Sequence, residues 1–283
     1  QFALPGLTVR LVSGRDAADR LEGACASEAL VIFAAKPLDR YPEGCNMLDR
    51  AALAKRFAQT GRVQVRDVLT REAAEEIQSI LMKGTPWGMA VRAGDSPDTP
   101  PRGFSNAEIM APGGADQVNR MANAAAQATA RGDYGFRYAQ FSLVEALQKG
   151  FNPGGPHELL LEHINADPFM ELVREITGFD TLAKADGQAT MFAPQHYLGR
   201  HSDSHVAEGW KVAYVLNFAR EDWHPDWGGY LLFLDDDSDV IEGFRPRFNA
   251  LNMFAVPQSH LVSFVPPFAP AGRLAITGWF RDR

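Results

Sequence analysis

Beyond residue 188 the chain becomes a succession of short apolar stretches, and this succession limits its fold more than any other feature. The stretches at 190–200, 210–217, 227–234, 248–257, 258–265 and 273–280 are of strand length and rich in β-branched and aromatic residues. Glycine, proline and acidic turns separate them, as in 235–237, where three aspartates follow an apolar run. Such a run of strands cannot stay a flat open sheet. It has to close on itself or stack into two layers to bury its apolar faces.

The first half reads differently. Asp49 is an N-cap candidate for a helix ending near Gly61, with Leu53 and Phe57 at helical spacing. Residues 62–66 alternate as a short strand. Thr70 opens a second helix running to Leu81 and stopped by Gly84. A strand is expected over 87–91, a proline-rich loop over 94–101, and an alanine-rich helix over 116–130 ending at Gly132. The aromatic segment 136–141 is expected to pack under the sheet or line its mouth. Residues 152–156 read as a second long loop. Asp167 followed by Pro168 reads as an N-cap and first helical residue, with Gly178 ending that helix. Helices with a few strands, followed by strands alone, predict an α+β chain. Its core is expected to be a double-stranded β-helix (jelly roll), with helices packed on one outer face.

The 283 residues suffice to bury a core without disulfides, and the only two cysteines are Cys25 and Cys45. That usage suits a reducing cytoplasm. A net charge of −7 disfavours nonspecific nucleic-acid binding, and no apolar run is long enough to span a membrane. The first methionine, Met47, stands just before the first clear helix signal. We therefore expect an N-terminal extension over 1–46, either an ordinary extension or not native. A single domain is expected over 47–283, with its catalytic half at about 188–283.

His201 and Asp203 are two apart on an expected strand, so their side chains aim to one side. His260, on a distant strand, can complete a set of two imidazoles and one carboxylate. That set, with open positions left over, is the arrangement of non-haem Fe(II) enzymes that activate oxygen, although the same donors also suit zinc, manganese and nickel. Arg273 begins an alternating strand, where a buried guanidinium can clamp a carboxylate with two parallel hydrogen bonds. His205 continues the spacing but is followed by turn-like residues and is expected at the rim. His196 and His224 read as structural and loop histidines. Trp223 and Trp227 read as core, and Trp279 as core or cavity wall.

The motifs HSD (201–203), YVLN (214–217), WGGYLLF (227–233), PQSH (257–260) and RLAITGWF (273–280) occur in one fixed order. In that order they resemble the catalytic half of 2-oxoglutarate- and Fe(II)-dependent dioxygenases, in particular the prolyl-4-hydroxylase-like branch. The resemblance implies His201, Asp203 and His260 as iron ligands and Arg273 as partner of the far carboxylate of 2-oxoglutarate. It implies Thr277 in the same pocket, with Tyr197 and Tyr214 near positions that often carry aromatic residues around the co-substrate. Leu198 stands where some relatives carry a tyrosine that contacts it. The resemblance further implies O2 as second co-substrate, ascorbate as reductant, and hydroxylation of a prolyl residue in a protein or peptide. A free amino-acid or small-molecule hydroxylase of the same chemistry is the alternative, and a non-catalytic metal-binding jelly-roll sensor is another.

Overall fold

The structure, a computed structural model, describes residues 49–94, 102–203 and 208–283. The readings made of residues 1–46, of both cysteines, of His205 and of most of the 94–101 loop lie outside the described residues.

Local chemistry sets the helix ends. In α1 (Arg50–Thr60) the Asp49 carboxylate accepts from the Ala52 amide, and Gly61 closes the helix in the left-handed region at φ 66°. In α2 (Arg71–Lys83) Thr70 caps in the same way. The helices α3 (Asn106–Met110), α4 (Gly114–Ala130), α5 (Leu143–Gln148), α6 (Pro156–Asn165) and α7 (Asp167–Thr177) follow. Two expectations shift here. Pro156 is the first residue of α6, so the second loop is shorter than expected. The N-cap of α7 is Ala166, not Asp167, because Ala166 also closes α6 and leaves no separate capping residue between the two helices.

Thirteen antiparallel strands are described: β1 (Arg62–Arg66), β2 (Gly88–Ala93), β3 (Arg102–Phe104), β4 (Gly135–Ser142), β5 (Lys184–Ala185), β6 (Gln188–Phe192), β7 (Tyr197–Ser202), β8 (Trp210–Phe218), β9 (Leu231–Leu234), β10 (Val240–Phe244), β11 (Phe248–Ala255), β12 (Ser259–Val262) and β13 (Arg273–Arg281). Ten of them pair in the order β1-β11-β8-β13-β6-β4-β7-β12-β9-β10, while β2 pairs with β3 and β4, and β5 with β13. The path folds into a nearly closed barrel, the double-stranded β-helix. Its two ends meet through side chains: Glu242 of β10 pairs with Arg62 of β1 at 2.6 Å and also with Arg56. The segment 136–141 does not pack under the sheet, but Phe136 and Tyr138 line the cavity, as the second of the two expectations had it. The segment is strand β4 itself, which pairs with both β6 and β7 and so joins the two halves.

Strand alternation divides the chemistry. Val212, Tyr214, Leu216 and Phe218 of β8 face a core built with Phe57, Ile77, Leu160, Phe169 and other helical residues, so α1, α2, α6 and α7 cover that sheet face. Ala213 and Val215, on the opposite face of β8, look into the barrel with Ala275 of β13 and Phe254 of β11. On β13, Arg273, Thr277 and Trp279 share that interior parity.

Candidate metal centre

In the register of β7 and β12, His201 lies directly opposite His260. Cross-strand partners share a face, so the two imidazoles stand side by side with ring centroids 4.1 Å apart. Each ring is fixed from behind. His201 Nδ1 donates to the Gly199 carbonyl at 3.0 Å, and His260 Nδ1 to the Gln258 carbonyl at 2.8 Å. A carbonyl can only accept, so Nδ1 carries the proton and Nε2 is left with its lone pair. Burial, then the nearby His201, pushes His260 down to about 4, which keeps it neutral.

Asp203 follows the last residue of β7 and supplies the carboxylate. Its Oδ1 lies 3.5 Å from His201 Nε2 and its Oδ2 lies 3.8 Å from His260 Nε2. These separations exceed a good hydrogen bond. Two ligand atoms each about 2.1 Å from one ion lie roughly 3–4 Å apart. The three donors all fall within 4.8 Å of one another, and the side chains of His201, Asp203 and His260 are 19%, 10% and 5% exposed. The spacing and the donor set therefore fit a shared metal ion.

These residues line a cavity of about 420 Å³ that Arg273 and Thr277 also line. Trp279 touches Asp203, and Arg273 lies six residues earlier on the same face of β13. The Arg273 guanidinium is 2% exposed. Its Nε and Nη2 donate to Asn217 Oδ1 at 3.2 and 3.1 Å, and it stands over the Phe192 ring at 5.5 Å. Its Nη1 is buried without a partner, and no carboxylate pairs with it among the described residues. Burial lowers its pKa to about 10, so it stays charged at neutral pH. A buried, charged and partly unsatisfied guanidinium is costly unless an anion completes it.

The other residues singled out from sequence fall in two places. Tyr214 has its ring in the helical-side core, and its hydroxyl donates to the Asp186 carbonyl at 2.7 Å. Only part of it reaches the cavity wall. Tyr197 does not line the cavity; its hydroxyl meets Thr129 Oγ1 at 2.8 Å. The cause is a bulge. His260 pairs with His201 but Val262 pairs with Leu198, so three steps of β7 oppose two of β12. The alternation is broken between them, turning Leu198 inward and Tyr197 outward. His196 is buried, its Nδ1 3.2 Å from both the Ala193 amide and the Met191 carbonyl, and His224 is exposed at the start of a short 3-10 turn.

Tyr138 and Trp210 also line the cavity and were not singled out individually. Tyr138 of β4 is half-buried, stacks on Phe192 at 5.1 Å, and has its phenol pushed up to about 12 by burial. Trp210 lies parallel to Trp279 with ring centroids 3.8 Å apart. The aromatic alternation of 136–141 was the available signal for Tyr138.

Residues 187–281 match the family described as the 2OG-Fe(II) oxygenase superfamily. A comparison with curated proteins gave no match. Among solved structures, a prolyl-4-hydroxylase from Pseudomonas putida is similar at 16% identity and TM-score 0.50, over 83% of this chain and 99% of that one. A 2OG-Fe(II) oxygenase family oxidoreductase from Burkholderia pseudomallei is similar at 13% identity and TM-score 0.53, over 84% and 93%. A prolyl hydroxylase from Trichoplax adhaerens, in complex with a hypoxia inducible factor peptide fragment, is similar at 14% identity and TM-score 0.52, over 82% and 89%. At such identities these three likenesses concern the fold.

Proposed function

We propose, from the membership of residues 187–281 in the 2OG-Fe(II) oxygenase superfamily, that this chain is an Fe(II)- and 2-oxoglutarate-dependent hydroxylase of prolyl residues in a protein or peptide. The single observation that carries the reading is the joint lining of one cavity by His201, Asp203, His260 and the buried Arg273. His201, Asp203 and His260 hold the iron through two Nε2 atoms and a carboxylate. Bound Fe(II), with O2, supplies the oxidising power that converts 2-oxoglutarate to succinate and CO2 and hydroxylates a C–H bond of the substrate. Arg273 offers Nη1 to the far carboxylate of 2-oxoglutarate while Asn217 holds the rest of the guanidinium still. Thr277 and Tyr138 line the same cavity, and Phe192, Val215 and Phe254 exclude water around the co-substrate. Ascorbate serves as reductant, and the scarcity of cysteine suits a cytoplasmic setting.

A polypeptide substrate is favoured over a free amino acid by the charges of the cavity. Among the described lining residues Asp203 is the only carboxylate, and it belongs to the metal centre. No second negative charge is described there to pair with an α-ammonium group, whereas a prolyl residue within a peptide brings none. The peptide carried by the Trichoplax relative points the same way. Of the two long loops read from the sequence, 152–156 contributes nothing to the cavity: Gly154 is tied to Glu158 of α6, on the helical side. No helix among the described residues is long and apolar enough to cross a membrane. The test is mass spectrometry after incubation with Fe(II), 2-oxoglutarate and either proline-containing peptides or free proline. A mass gain of one oxygen on peptidyl proline is expected; turnover of free proline at an equal rate would overturn the polypeptide reading.

A further inference from the structure

The chain is acidic, and many of its arginines pair with carboxylates: Arg50 with Glu175, Arg71 with Glu75 and Glu221, and Arg220 with Asp222. Three arginines without such a pair belong to neighbouring segments. Arg66 ends β1, and Arg245 and Arg247 flank Pro246 in the connection from β10 to β11. Pro246 is buried while its two neighbours are partly exposed, so both arginines project to the same side of an extended segment. Gln64 of β1 clips that segment in place. Its Nε2 donates to the Arg245 carbonyl at 3.2 Å and to Asn252 Oδ1 at 2.9 Å, and its Oε1 accepts from Arg247 Nε at 2.8 Å. No carboxylate of the described residues forms an ion pair with any of the three. The Nε of Arg245 is buried without a partner. Arg66 and Arg245 stand close enough to repel Arg247, and together with burial they lower its pKa. None of the three lines the cavity of the metal centre.

We propose that Arg66, Arg245 and Arg247 form a second binding site, for a dianion of the phosphate type. A cluster of like charges held together by a fixed glutamine is unfavourable when empty. A tetrahedral oxyanion removes the repulsion and accepts from several guanidinium forks at once. The Gln64 clip lowers the ordering cost of binding, because the segment carrying two of the arginines is already positioned.

The experiment is isothermal titration of the full chain with inorganic phosphate, against sodium chloride of matched ionic strength. Saturable binding to phosphate alone is expected. It should weaken at least tenfold in the double variant Arg245→Gln/Arg247→Gln and persist in Arg273→Lys, which separates this site from the co-substrate cavity. Should the double variant fail to fold, Arg66→Gln, at the exposed end of β1, is expected to weaken binding severalfold. The proposal is overturned if chloride reproduces the phosphate signal, if these variants bind as the wild type does, or if Arg273→Lys alone abolishes binding.

Discussion

The indole Nε1–H of Trp279 donates to Asp203 Oδ2 at 3.0 Å, and so one cavity wall orients the carboxylate of the metal centre. Trp279 is held in turn by its stack on Trp210 and by its backbone amide, which donates to Asp186 Oδ1 at 2.7 Å. Partners of this kind, one step behind a ligand, fix its direction and tune its affinity.

Trp279→Phe keeps the stack and removes only the donor. Fe(II) or Mn(II) affinity, measured anaerobically by competition titration, is expected to fall about 10–100-fold with the fold intact. An unchanged affinity would show that the hydrogen bond does not position Asp203.

Arg273→Lys keeps a charge but loses the fork and the grip of Asn217. The 2-oxoglutarate KM is expected to rise by a factor corresponding to about 2–5 kcal/mol, with metal affinity nearly unchanged. Steady-state kinetics beside a metal titration reads both quantities, and an unaltered KM contradicts the assignment.

Tyr214→Phe is expected to cost about 1 kcal/mol of stability through loss of the bond to the Asp186 carbonyl, without changing the 2-oxoglutarate KM. Tyr197→Phe is expected to leave both nearly untouched. Urea unfolding and co-substrate kinetics on both variants check this, and a large KM effect from either would return that tyrosine to the co-substrate site.

Much of this arrangement was legible in the chain. The spacing of His201 and Asp203, the interior parity of Arg273, Thr277 and Trp279, and the caps Asp49, Thr70 and Gly178 are local properties, and strand or helix periodicity exposes them. The direction of Tyr197 was not legible, and Tyr138 was legible only as part of an aromatic segment expected under the sheet or at its mouth, both for long-range reasons. Tyr138 reaches the cavity because β4 pairs with both β6 and β7, and nothing near residue 138 encodes those partners. Tyr197 faces away because of a bulge that is set by pairing with β12, some sixty residues on.

His196 gives the fold a pH dependence of its own. Burial holds it near 4 in the folded chain, whereas an unfolded imidazole titrates at about 6.5. Between those values the unfolded chain binds a proton that the folded chain refuses, so stability falls as the pH drops from about 6.5 towards 4. This one group accounts for up to roughly 3 kcal/mol. His157 and His163, lowered by burial too, add to the same trend. His196→Gln is therefore expected to lose less stability than the wild type between pH 7.5 and 4.5 in urea unfolding; equal losses would contradict this.

The central claim, that His201, Asp203 and His260 hold Fe(II) beside a 2-oxoglutarate whose far carboxylate sits on Arg273, is tested most directly by anaerobic absorption spectroscopy. A 2-oxo acid chelated to Fe(II) gives a visible charge-transfer band that neither component shows alone. The band is expected on adding Fe(II) and 2-oxoglutarate to the wild type, to be absent in Asp203→Ala, and to need far more 2-oxoglutarate in Arg273→Ala. No band in the wild type, or a band of equal strength in Asp203→Ala, would contradict the account.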